Sequence, residues 1–294
     1  MHLIRTFFLG ALALVCLVSA ASALQLEPYK DDLFGYTGVL KTGDGGDYVV
    51  VDYNEMRDIN GRDQVPERRV KQNYVSLQPK RSQQDLIVTT DYGPVKVMAT
   101  GKLDGGASVI TIYLHGQGGN RQQGMNDFTF GGNFNRLKNL MVRNDGLYLS
   151  PDFTNFGEKG EAEVAGLISH FKSQSPQARV FVACGSMGGS LCWRLAQDTR
   201  AAKNISGLII LGSLWDDHFI GSPSFKRRIP VFFGHGSRDP VFGVDKQEAF
   251  YREIRGSAKG YPVRFHRFEN GNHGTPIRMT DWRTTLNWML SVAP

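Results

Sequence analysis

From residue 107 onward the apolar residues of this chain arrive in short, dense runs: "SVITIYLH" (108–115), "GLYLSP" (146–151), "RVFVAC" (179–184), "SGLIILGS" (206–213), "IPVFFGHG" (229–236) and "YPVRFHRF" (261–268). Each is rich in Val, Ile and Phe and is bounded by Gly, Pro, Asn or Asp, the pattern of a strand. Most lack the in/out polar alternation of a one-sided sheet, which predicts strands covered on both faces. Between several of them the apolar positions recur at helical spacing, over 133–143, 159–173, 188–199, 244–256 and 279–291. Strands alternating with helices predict a mostly parallel sheet with helices on both faces. In that architecture functional groups collect at the carboxyl ends of the strands.

The earlier part of the chain reads differently. Residues 24–84 are mixed and polar, with strand-like pieces at "DYVVVDY" (47–53) and at "KQNYVSLQ" (71–78), the latter alternating like an edge strand. "QDLIVTTDYGPVKVMATGKLDGG" (84–106) predicts two strands joined by the turn "DYGP". The first 23 residues, "MHLIRTFFLGALALVCLVSAASA", run from a basic start at Arg5 through an apolar stretch to small residues. That is the layout of a secretory signal, with cleavage after Ala20 or Ala23, and it predicts an exported protein, periplasmic or secreted. No small residue precedes Cys16 as a lipid-anchored cysteine requires, and no later stretch is apolar for the 18 residues a membrane helix needs. The expected organisation is therefore a signal peptide (1–23), an N-terminal extension of extra strands (24–84) and a main domain (85–294).

Three strand ends carry chemistry. In "VFVACGSMGGSLCW" (180–193) an apolar strand stops at Ser186, set among Gly185, Gly188 and Gly189, and a helix begins. The spacing of "CGSMG" matches a small-x-Ser-x-Gly nucleophile elbow, with Cys184 where glycine is usual. A tight strand-to-helix turn lifts such a serine above the sheet, beside the positive end of the helix. In "HGSRDPVF" (235–242) Asp239 follows the next strand but one, and in "ENGNHGTP" (269–276) His273 occupies a Gly/Asn-rich loop after the last strand. Among the other histidines, His170 falls in a helix and His266 in a strand, which leaves His218 as the one competitor.

The order Ser186, Asp239, His273 resembles that of the α/β-hydrolase superfamily, over roughly residues 85–292. "YLHGQGG" (113–119) stands where that family carries its oxyanion loop. The resemblance implies the α/β-hydrolase fold and a catalytic triad of Ser186, Asp239 and His273. It also implies an oxyanion hole from the backbone N–H groups of Gln117 and Met187, with His115 shaping the loop. The implied reaction is cleavage of a carboxylic ester through an acyl-serine, with no cofactor and no metal. A thioesterase, a lysophospholipase or a peptidase would use the same residues, and a non-catalytic hydrolase-like binder is the alternative of another class. Only residues 214–228 separate two successive strands where a lid would insert, which predicts an open site. Phe128 and Phe130 (with Phe134) in the long 120–137 loop, and Trp215 after another strand, are the candidate walls of a substrate pocket for a small or polymer-linked ester.

Charge and cysteines add little. The chain of 294 residues carries a net charge of +6, spread out apart from short runs such as "PERRVKQ" and "FKRR". Nucleic-acid binding calls for basic residues clustered with aromatics, so it is not expected. "DINGRD" (58–63) resembles a calcium loop only in part and lacks the rest of the pattern. Outside the signal only Cys184 and Cys192 remain. A strand end and a position more than a turn into the next helix predict Cα atoms too far apart to bridge, hence two buried thiols.

Overall fold

The computed structural model describes residues 24–64 and 68–294; the signal-like segment 1–23 lies outside the described residues. Ten strands form one sheet: β1 (Val39–Gly43), β2 (Tyr48–Asp52), β3 (Gln84–Thr90), β4 (Gly93–Gly101), β5 (Val109–Leu114), β6 (Leu147–Pro151), β7 (Arg179–Gly185), β8 (Gly207–Leu211), β9 (Val231–Gly236) and β10 (Val263–Glu269). Their spatial order is β1-β2-β10-β9-β8-β7-β5-β6-β4-β3. From β2 through β10 to β6 every neighbour is parallel, and antiparallel pairs close both edges, β1 with β2 and β3 with β4 with β6. The N-terminal and central segments thus cap opposite edges of one sheet.

The unbroken apolar runs are explained by two cores. Val180, Val182 and Cys184 of β7, Leu208 and Ile210 of β8 and Val231 and Phe233 of β9 belong to one; Phe181, Ala183, Ile209, Leu211 and Phe232 belong to the other. Successive side chains of a strand point to opposite faces, so every position of these strands but Arg179 is buried. Helices α2 (Glu158–Gln174), α3 (Gly189–Gln197) and α4 (Val244–Ser257) cover the first face; α1 (Asn133–Arg143) and α6 (Trp282–Val292) cover the second. A short helix, α5 (Thr275–Met279), follows the last strand. No helix among the described residues is long and apolar enough to cross a membrane.

Two expectations fail here. Residues 71–78 are not a strand but lie in the 3-10 turns Gln72–Tyr74 and Gln78–Ser82 and the link between them. Asn135 on α1 accepts from the Ser76 N–H (2.9 Å) and donates to its carbonyl (2.9 Å), so side-chain amides replace a strand partner. The two cysteines are not thiols: Cys184 and Cys192 form a disulfide, with Cα atoms 6.3 Å apart. The 3-10 turn Ser186–Gly188 folds the chain back at once, and Cys192 is only the fourth residue of α3. Both side chains therefore enter the same core, within bridging range.

Candidate active site

β7 ends at a sharp corner. Ser186 has φ = 52°, a left-handed conformation that non-glycine residues adopt at a cost. The neighbouring glycines are required by close approach. A Cβ at Gly185 would stand 2.6 Å from the Tyr113 hydroxyl, and one at Gly188 2.5 Å from the Leu114 carbonyl oxygen. β7 and β5 are adjacent in the sheet, so the corner packs against the end of β5 and only glycine leaves room. The Ser213 hydroxyl donates to the Ser186 carbonyl and fixes the turn from the β8 side.

The loop after β9 carries Asp239, whose side chain is fully buried. Its Oδ1 accepts from the backbone N–H groups of Val241 (2.8 Å) and Phe242 (3.1 Å). Its Oδ2 lies 2.8 Å from His273 Nδ1, and His273 Nε2 lies 2.9 Å from Ser186 Oγ. The ring nitrogens are assigned by their partners: Nδ1–H donates to the carboxylate, and Nε2 accepts from the serine hydroxyl. Burial disfavours the ionised Asp239. The bonds from His273, Val241 and Phe242 outweigh it and hold the carboxyl below its ordinary value.

A second histidine escaped the sequence reading. His235, at the end of β9 and almost fully buried, has Nε2 2.8 Å from the Phe242 carbonyl and 3.4 Å from Asp239 Oδ2. Burial lowers its pKa, which keeps the ring neutral, so Nε2–H donates. Its signal was the HG pair four residues before Asp239, legible only once that aspartate is placed. The competitor His218 is exposed and bonded to Asp216, outside this cluster.

The loop after β5 lies against the serine: a Cβ on Gly116 would come 2.8 Å from Ser186 Cβ and 3.2 Å from its Oγ. His115 is buried, its ring stacked on Phe153 (4.3 Å between centroids), and its Nδ1 donates to the Gly116 carbonyl (2.8 Å), so it shapes the loop. Among the described residues the backbone N–H groups of Gln117 and Met187 have no protein acceptor. They are available to an external oxygen.

A pocket of about 290 Å³ opens beside His273, lined by Tyr53, Ile59, Arg68, Thr129, Phe130, Asn272, Gly274, Thr275 and Arg278. Neither this pocket nor a larger concavity of about 380 Å³, around Thr90, Tyr92, His170 and Arg200, is lined by Ser186, Asp239 or His273 itself, but the first is lined by both sequence neighbours of His273, Asn272 and Gly274. Of the aromatics expected in a pocket only Phe130 lines the one beside His273. Phe128 lies under the Arg69 guanidinium (4.1 Å), Phe134 is wholly in the core and Trp215 packs against the other core. The site also recruits what the sequence left aside. Arg278 of α5, five residues after His273, makes two bonds to Asp63 (3.0 and 2.5 Å) and one to the Asp58 carbonyl (3.1 Å). The carboxylate of Asp58 is taken by Arg57 (2.8 Å), so the acidic groups of "DINGRD" face arginines.

No family model and no curated protein matches the sequence. Solved structures do. The Pyrococcus furiosus esterase Pf2001 superposes with a TM-score of 0.54 at 17% identity, over 74% of this chain and 96% of that one. A Xanthomonas campestris α/β serine hydrolase without a lid gives 0.52 at 15%, over 71% and 94%. A thermostable esterase gives 0.58 at 15%, over 73% and 64%. The chain has the α/β-hydrolase fold.

Proposed function

We propose that this protein is a serine hydrolase that cleaves a carboxylic ester by two-step acyl transfer. The observation that carries the reading is the unbroken chain of hydrogen bonds Ser186–His273–Asp239, at 2.9 and 2.8 Å. Ser186 Oγ attacks the carbonyl carbon while His273 Nε2 takes its proton; Asp239 holds the ring in the tautomer this needs and stabilises the imidazolium. The carbonyl oxygen, now anionic, is received by the free N–H groups of Gln117 and Met187, each worth roughly a hundred- to a thousandfold in rate. His273 then gives the proton to the leaving alcohol. Water, deprotonated by the same ring, releases the acid from the acyl-serine. The β8–β9 connection holds only the turn Asp217–Phe219 and the short helix Pro223–Lys226, which supports an open site for a small or polymer-linked ester. We further propose export: a disulfide suits an oxidising compartment, as does the signal-like start.

The test is hydrolysis of p-nitrophenyl acetate and butyrate beside labelling by a fluorophosphonate. Wild type should turn over and be labelled on Ser186, and Ser186→Ala should lose roughly a thousandfold or more of the rate and all of the label. A protein that is neither labelled nor active is a binder that keeps the fold.

A further inference from the structure

The pocket beside His273 is built in part by residues that precede the hydrolase-like region. Tyr53, Ile59 and Arg68 form one wall; Thr129 and Phe130, from the loop after β5, form another. Its volume of about 290 Å³ is that of roughly ten waters, so it accepts a moiety of on the order of ten non-hydrogen atoms. Ile59 and Phe130 offer apolar surface, and one polar group stands out against it.

The Tyr53 hydroxyl is buried beside Thr275, without accessible surface and out of a ligand's reach. The group that stands out is the Arg68 guanidinium. The two arginines of this pocket differ. Arg278 is neutralised by its paired bonds to Asp63, whereas among the described residues Arg68 meets only Glu55, at 3.9 Å, with both side chains more than half exposed. An exposed contact at that distance is easily exchanged for a better one. A planar guanidinium presents paired donors that match a carboxylate.

We propose that this pocket is an acid-recognition subsite, and that the substrate is an ester whose moiety on the His273 side carries a carboxylate held by Arg68. The inference rests on the hydrolase reading above and deepens it to a substrate class. Arg68 is then a specificity-determining residue, contributed by the segment that precedes the fold's core.

Two matched pairs of esters test it. In one the acid half differs, 4-nitrophenyl hydrogen succinate against 4-nitrophenyl butyrate; in the other the alcohol half differs, 4-carboxyphenyl butyrate against phenyl butyrate. Wild type should favour the carboxylated member of at least one pair by roughly ten- to a hundredfold in kcat/KM, expressed mainly in KM, the range of a charge-assisted bond. Arg68→Gln should bring that ratio close to one. Ratios within twofold in both pairs for wild type, or a ratio that survives Arg68→Gln, overturn the proposal. Calorimetry with benzoate and benzamide reads the same pocket without turnover: benzoate alone should bind, and only where Arg68 is present. Equal binding of the two, or no binding of benzoate to wild type, overturns it as well. Fluorophosphonate labelling of Ser186 keeps the readings apart, since a labelled enzyme with no preference for acids loses only the subsite.

Discussion

The disulfide between Cys184 and Cys192 brackets the elbow, with Ser186 two residues after the first cysteine, and its contribution can be worked out from the loop it closes. The cysteines are eight apart in sequence. In the chain-entropy description a cross-link closing a loop of that length removes about 8 cal/mol/K from the unfolded chain, about 2.5 kcal/mol at 25 °C. Both residues are fully buried, so substitution alone would mix this effect with lost packing. The clean measurement compares one chain in two redox states. Urea unfolding of wild type with and without reductant, equilibrated through the transition, should differ by about 2.5 kcal/mol. The variant carrying Cys184→Ala and Cys192→Ala should be less stable than oxidised wild type and indifferent to reductant. Two titratable thiols in the unfolded, unreduced protein, or identical midpoints in both redox states, would refute the reasoning.

Three further outcomes follow from the packing. Gly116→Ala places a methyl group 2.8 Å from Ser186 Cβ, so the proposed ester hydrolysis should collapse and stability fall; in a Ser186→Gly background the same substitution should cost far less stability, and equal costs would show that the clash lies elsewhere. Asp63→Asn leaves the buried Arg278 without its carboxylate and should cost about 3–5 kcal/mol by thermal or urea unfolding, whereas a loss below 1 kcal/mol would mean that Asp63 does not neutralise it. His266 is buried on β10 and accepts from the Tyr36 hydroxyl (2.7 Å), and burial, with Arg264 adding to it, lowers its pKa to about 3. The unfolded histidine binds a proton below about pH 6.5 and the folded one does not, so stability falls with pH through the window from 6.5 towards 3. Replacing it in His266→Gln should make the loss between pH 6 and 4 shallower by about 1.4 kcal/mol per pH unit, and parallel curves would contradict this.

What the sequence disclosed and what it hid divide along a physical line. Doubly buried strands have few alternatives, and β5 to β10 fall where the dense apolar runs are; α1 spans Asn133–Arg143, the whole of its predicted range. The positions of Ser186, Asp239 and His273 were legible for a related reason, because strand ends in a parallel sheet converge and an end can be read locally. Loops offer no such rule. Phe128, Phe130 and Phe134 lie close together in sequence, yet one meets Arg69, one lines the pocket and one is lost in the core. Which way each ring turns depends on how the loop is anchored, here by the buried Lys138, which bonds the Met125 carbonyl (2.8 Å) and pairs with Asp127 (2.6 Å). The segment before β3 was least legible of all, since its meaning lies in contacts across more than two hundred residues, such as Asp63 with Arg278 and Arg62 with Met279. Those contacts tie it to α5, the helix that begins two residues after His273. The segment therefore holds the histidine loop from outside the sheet while it shapes the neighbouring pocket, and a change made there should register in catalysis and specificity together.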